Sequence, residues 1–256
     1  MARAARTRIF VPGPLAADAE IDLPREAAHH LVAVLRARRG DAVTLFDGRG
    51  GEYAAEIVGL ERRAARCLVG AFDAVEREAE IHVTLYQALA RGTKMDLVVQ
   101  KATELGAAGV VPFVAARSNV RLEPAKARER VEHWRRVAIA ACEQCGRNRI
   151  PEVGEVVDAA ALSAGDAAAF YARPEATIHL ARAAREAVGA RRLLKVAIGP
   201  EGGFSDTENA ALKAAGFAPV SLGPSVLRTE TAGLAALATL GAVALTDDGD
   251  GLGRLR

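Results

Sequence analysis

Aromatic residues are scarce in this 256-residue chain: one Trp, three Tyr and seven Phe make up 4% of it. No aromatic signature of the kind that stacks bases in an RNA-recognition motif is present. Cysteine is almost missing. Cys67, Cys142 and Cys145 are too few, and odd in number, for a disulfide framework, and they fit a reducing, cytoplasmic setting. Net charge is low, +2, so the field of the whole protein does not announce nucleic acid and any such signal must come from local clusters. The longest apolar run, Thr231 to Leu245, is shorter than the roughly 20 residues that a membrane span needs. It reads as a buried helix. The stretch Ile9 to Pro14 is too short and too proline-rich for a signal-peptide core. No G-x-G-x-x-G occurs, and no Gly-Lys-Ser/Thr follows the glycine-rich loop near residue 200, so neither dinucleotide nor P-loop chemistry is indicated.

What is present is enough apolar sequence, 50%, to bury one large domain or two smaller ones. Residues 1 to about 72 read as short strands. Val43, Leu45 and Phe46 lead into Asp47-Gly48-Arg49-Gly50-Gly51, and Tyr53, Ile57 and Val58 follow, which predicts a hairpin. A helix over Arg25 to Arg38 interrupts them, with Leu31, Val34 and Leu35 at helical spacing. A small β-barrel is the expected result. Residues 71–80 are charged and patternless, and the domain boundary is placed there, with the second domain from residue 80 onward.

Beyond it the rhythm changes to strands alternating with helices, the pattern of an α/β domain with a mostly parallel sheet. Strands are predicted at Ile81 to Leu85, Val110 to Val114, Thr177 to Leu180, Leu193 to Ile198 and Val220 to Leu222. Helices are predicted over 94–105 and Glu123 to Ala141. Ser205 with Glu208 forms a capping box for another helix, and the apolar run makes the last. Three strand ends then converge: Leu180, the loop Gly199 to Ser205, and the loop Leu222 to Ala232. Ligands of open α/β sheets bind beyond the carboxyl ends of strands. Glu201 would repel an anion, so a neutral or cationic ligand suits these loops better than a phosphate. Two ordinary strand-to-helix turns would also account for them.

IGPEGGFSDTE (198–208) and LGPSVLRTETA (222–232) together resemble the paired signature of the SPOUT methyltransferases, in the bacterial branch that methylates N3 of a uridine in 16S ribosomal RNA. RGTKMDLVVQKATELG (91–106), CEQCGR (142–147) and RIFV (8–11) match the same branch, in order and over nearly the whole chain. The resemblance implies a fold in two parts, a SPOUT-type parallel sheet with a trefoil knot and a small N-terminal PUA-like β-barrel. It implies S-adenosylmethionine as cofactor, 16S rRNA or the small subunit as partner, and a homodimer. Carried over residue by residue, the cofactor pocket uses Leu180, Gly199, Gly202, Gly203, Leu222, Gly223, Leu227, Arg228, Thr229 and Ala232, with Leu180, Leu222 and Leu227 sandwiching the adenine.

For the chemistry, Arg228 is the candidate cation beside the developing uracil anion. Glu230 is the candidate base or orienter, or else a carboxylate that only offsets the helix dipole. Arg8, Arg36, Arg117, Arg121, Arg135, Arg136 and Arg147 are the candidate RNA contacts. The alternative is a solvated helix face with pairs such as Glu132 and Arg136. Cys142 and Cys145 lack the second pair that a structural zinc site needs, and no metal is expected. Ribose 2′-O methylation, and a non-catalytic RNA-binding or ribosome-assembly role, are the rival readings.

Overall fold

The computed structural model describes residues 7–247 apart from 62, 80, 119, 121 and 189–192. Contacts divide the chain into two compact units. The first runs to Glu78 and also takes in Cys142–Ile150, from far along the chain. The second comprises Ala79–Ala141 and the chain from Pro151 onward.

The first unit is built on strands β1 (Arg8–Phe10), β2 (Glu20–Asp22), β3 (Ala42–Phe46), β4 (Glu52–Glu61) and β5 (Ala64–Asp73), in the spatial order β1-β3-β4-β5-β2. β1 runs parallel to β3, and the remaining neighbours are antiparallel. The hairpin of β3 and β4 lies where the glycine-rich turn predicts it. Alternation sets which face is buried: on β5, Ala65, Cys67 and Val69 point inward while Arg66 and Leu68 face out. They meet Ile9, Val43, Leu45, Ile57 and Leu31 in one core. The predicted helix is shorter than expected. α1 (Arg25–His29) passes into a π-helical turn, His30–Val34. Arg36 then takes φ +52, and the Ala37 N–H closes back on the Leu31 carbonyl at 3.0 Å. Leu31 and Ala28 are the residues this segment buries, whereas Val34 and Leu35 are exposed, so nothing apolar holds the last predicted turn down.

The second unit carries a seven-stranded sheet in which every pairing is parallel. In chain order its elements are β6 (His82–Ala88), α2 (Lys94–Glu104), β7 (Gly109–Val114), α3 (Pro124–Cys145, as far as Ala141), β8 (Glu152–Val153) and β9 (Val157–Asp158). These are followed by β10 (Ala168–Ala172), α4 (Leu180–Val188), β11 (Leu193–Ile198), α5 (Asp206–Ala214), β12 (Phe217–Val220) and α6 (Thr229–Asp247). The spatial order is β12-β10-β11-β6-β7-β8, with β9 also beside β7. One apolar cluster joins Leu85, Val110, Val196 and Val220 of the sheet to Met95, Val98 and Val99 of α2, Trp134 of α3, Ala184 of α4 and Leu237 and Leu240 of α6. A second gathers Phe113, Tyr171, Phe204, Leu212 and Phe217. Sheets covered on both faces are the rule for parallel strands.

Two expectations differ from what forms. Thr177 to Leu180 is not a strand: His179 makes a single bridge to Ser221, and Leu180 opens α4. Its place in the sheet belongs to β10, whose sequence AAFYA hides its alternation behind alanines. The apolar run forms α6, but its faces are unequal. Ala236, Leu237 and Leu240 are buried, while Thr231, Ala238, Ala242 and Leu245 are exposed.

Candidate functional site

β10, β11 and β12 end side by side, and a pocket of about 670 Å³ opens beyond their carboxyl ends. β10 supplies Arg173 to Glu175, β11 supplies Gly199 to Phe204, and β12 leads into Leu222 to Thr229. Arg117, just past β7, completes the wall. The volume lies within the range of small-molecule and cofactor sites.

All the residues assigned to a cofactor pocket from sequence line this cavity except Leu180. Leu180 is fully buried in the sheet–helix core, its N–H donating to the Ser221 carbonyl at 2.9 Å. It has no surface to offer a ligand because the segment expected to be a strand has already turned into α4. Gly203 has φ +68 and Gly223 φ +131, and nothing lies within 4 Å of where a Cβ would stand on either. Here glycine serves the backbone conformation, which L residues rarely adopt, and leaves both loops with bare backbone next to the cavity.

The loops are locked by a buried polar chain that the sequence did not reveal. Gln87 at the end of β6 donates from Nε2 to Thr229 Oγ1 (2.9 Å), and Thr229 Oγ1 donates to the Gly199 carbonyl (2.8 Å). One strand end, the first glycine loop and the start of α6 are thereby tied together. Gly233 makes room for it, since a Cβ there would stand 2.6 Å from Gln87 Oε1. The capping box is present as predicted: the Glu208 N–H donates to Ser205 Oγ (3.2 Å), and the Ser205 N–H donates to Glu208 Oε2 (2.8 Å). Glu208 Oε1 also accepts from the Ala116 N–H at 2.7 Å, and Arg117 donates to the Gly202 carbonyl at 3.0 Å. Burial raises the Glu208 pKa, but these donors and the Arg117 charge outweigh it and hold the carboxyl below its ordinary range.

Arg228 lines the cavity. Glu230 does not: it stands beside the pocket in the first turn of α6, only 9% exposed. The Lys94 ammonium, at the start of α2, lies 3.2 Å from Glu230 Oε2 and 3.5 Å from Glu201 Oε1. Burial opposes ionisation of Glu230. Its own backbone N–H, Lys94 and Arg228 prevail and hold the carboxyl below the usual carboxylate range. Lys94 and Glu201 were not predicted as site residues, although both fall inside the quoted motifs.

Several proposed RNA contacts are engaged internally. Arg8 pairs with Glu52, donates to Asn148 Oδ1 at 2.6 Å and lies over the Phe46 ring. Arg147 is 5% exposed and forks onto Glu78. Arg135 pairs with Glu132 and Glu155 and donates to the Val153 carbonyl, so Glu132 takes Arg135 rather than Arg136 as partner. These three guanidiniums direct donors to protein groups, Arg135 while still partly exposed. Arg36, Arg117 and Arg136 are exposed, Arg117 as part of the pocket wall. Arg121 lies outside the described residues. The segment CEQCGR belongs to the first unit. There Glu143 accepts from the Phe10 N–H (2.9 Å), and burial pushes the Cys142 thiol up to about 12, its Sγ facing the Arg149 carbonyl.

An all-parallel sheet with glycine-bearing loops converging on one pocket, accompanied by a second, mostly antiparallel sheet, makes an α/β protein with a ligand pocket, the two-part arrangement that the SPOUT and PUA resemblance implies. Comparison with known proteins agrees. Residues 77–241 match the RNA methyltransferase domain and residues 23–69 the RNA methyltransferase PUA domain. Ribosomal RNA small subunit methyltransferase E of Bacillus subtilis is 33% identical over 84% of this chain and 87% of its own length. The protein of that name from Mycobacterium tuberculosis is 34% identical, over 83% and 82%. Among solved structures, a Legionella pneumophila methyltransferase in complex with SAM superposes with a TM-score of 0.88 at 34% identity, covering 93% of this chain and 98% of that one. A Neisseria gonorrhoeae ribosomal RNA small subunit methyltransferase E bound to S-adenosylmethionine gives 0.82 at 30%, with the same coverage. The chain belongs to this RNA methyltransferase family.

Proposed function

We propose that this protein methylates N3 of a uridine in small-subunit (16S) ribosomal RNA, with S-adenosylmethionine as methyl donor. The observation that carries the reading is the cavity beyond β10, β11 and β12, walled by two glycine loops, with Arg228 in its wall and Glu230 beside it. The residues present fit this donor. Bare backbone at Gly203 and Gly223 suits the edge of an adenine, and Leu222 and Leu227 offer apolar surface for its faces. Glu175, Glu201 and Asp206 are matched in the lining by Arg117, Arg173 and Arg228, a balanced set that suits a donor carrying both cationic groups and a carboxylate. Two relatives crystallised with the same molecule support the assignment. When bound, it supplies an electrophilic methyl group on a sulfonium.

The chain's own contribution is to the acceptor. Uridine N3 must lose its proton before its lone pair is free, so the site needs a base and a cation near the resulting anion. Glu230 is held ionised, as a proton acceptor requires, and the Arg228 guanidinium stabilises the anion. The tight Gln87–Thr229–Gly199 link keeps both loops in register for alignment. The trefoil knot implied by the resemblance would serve the same rigidity. Arg36 and Arg136, exposed and basic, are the proposed phosphate contacts. A homodimer is part of the reading, supported by exposed Leu97 on α2, Leu105 just after it and Leu245 on α6. Cytoplasmic action follows from the substrate.

Glu230→Gln tests the mechanism. Methyl transfer to small ribosomal subunits at saturating donor should fall by about 10²–10⁴-fold, with calorimetric affinity for S-adenosylmethionine retained. An unchanged rate removes Glu230 from the chemistry. Nucleoside mass spectrometry of rRNA from a deletion strain should show N3-methyluridine lost. Loss of a ribose 2′-O-methyl mark instead would overturn the assignment.

A further inference from the structure

Lys94 joins two acidic groups that belong to different parts of the site. Glu201 sits on the first glycine loop, in the pocket wall. Glu230 sits on α6, nearly buried, and its Oε2 has no well-directed hydrogen-bond donor among the described residues. The Lys94 ammonium, half-sheltered at the N-terminus of α2, faces both, at 3.5 Å and 3.2 Å. Charged groups around Glu230 come from three elements: Lys94 from α2, Arg228 from the loop before α6, and Glu201 from the loop after β11 by way of Lys94. One ammonium faces two carboxylates, so Glu201 and Glu230 compete for it. Whatever neutralises Glu201 therefore hands more of Lys94 to Glu230.

We propose that Lys94 is a positioning residue that aims the Glu230 carboxylate, and that Glu201 competes for the same ammonium, so that the two acids are coupled through it. Occupation of the pocket by a cationic donor engages the rim near Glu201, releases Lys94 toward Glu230 and completes the base only when the donor is in place. The inference rests on the reading of Glu230 as proton acceptor. A plain structural strut would be indifferent to the charge on Glu201; a shared counter-ion is not.

The coupling makes opposite predictions for two substitutions in the full-length protein. In Lys94→Gln, Glu230 loses its nearest cation, its proton becomes harder to remove, and the acid limb of kcat for methylation of small ribosomal subunits should move to higher pH by about one unit. At a pH below the limb, that move is a tenfold fall in rate. In Glu201→Gln, Lys94 has one carboxylate to serve, and the limb should move to lower pH. Lys94→Arg, which keeps the charge, should return the limb most of the way to the wild-type position. Limbs that stay put in both variants, or that move in the same direction, overturn the proposal. If Lys94→Gln does not fold, Glu201→Gln alone still decides, because its limb must move to lower pH. Failure of the underlying reading looks different: Glu230→Gln would then keep its full rate whatever Lys94 does.

Discussion

At Glu52 two guanidiniums converge on one carboxylate. Arg8 pairs with it from β1, and Arg77 donates to Oε2 at 2.8 Å and Oε1 at 3.3 Å. Burial would raise its pKa, but the two arginines hold it below the usual range. A depressed carboxylate contributes stability that is present above its unfolded pKa and lost as pH falls through its folded one. The melting temperature of the wild type should therefore drop as the medium is taken below the ordinary carboxylate range. Glu52→Gln should cost about 2 kcal/mol at neutral pH and flatten that decline; circular dichroism melts across the acid range check both. The same residues show what a linear reading misses. Arg8 was counted as a free cation because its partners are distant, Glu52 44 residues along the chain and Asn148 140. Charge can be counted in sequence, but pairing across the fold cannot. The pocket glycines were legible for the opposite reason, since backbone demands act within a few residues.

Among the elements, α5 carries a cap that does two things. Its Glu208 completes the capping box and also fixes the Ala116 N–H, holding the loop from which Arg117 reaches Gly202. Ser205→Ala should cost about 1 kcal/mol. Glu208→Ala should cost somewhat more, about 1–2 kcal/mol, because the Ser205 and Ala116 N–H groups both lose a charged acceptor. It should also weaken S-adenosylmethionine binding, which Ser205→Ala largely spares. Thermal melts and calorimetry on the two variants separate these effects, and equal losses of affinity would argue against the Ala116 tether. The box was legible at the sequence level because capping is a contact over three residues. β10 was not: three of its five residues are alanine, and what makes it a strand is its register between β11 and β12. Thr177 to Leu180 has better strand chemistry and lost its place to a helix start, a tertiary override of local propensity.

Across the whole chain the near-zero net charge conceals two kinds of arginine. Arg8, Arg135 and Arg147 are neutralised by carboxylates and carbonyls, so they add to cohesion and not to the external field. Arg136 is exposed on α3 and makes no ion pair with Glu132, which Arg135 already holds. If Arg136 tracks a phosphate, its removal should act evenly on any RNA sequence and in a salt-dependent way. Arg136→Ala should lower the slope of log affinity against log salt by about 0.7–0.9, the release of one counterion, and leave the melting temperature nearly unchanged. Arg147→Ala should do the reverse at the level of the fold. It strips the half-buried Glu78 of its partner and should lower stability by about 2–3 kcal/mol, toward the cost of breaking a buried ion pair. Filter binding of small-subunit rRNA over a salt series, alongside melts, distinguishes the two. An Arg136→Ala protein with an unaltered slope would mean that RNA approaches elsewhere, and Arg36 on the first unit would become the next position to test.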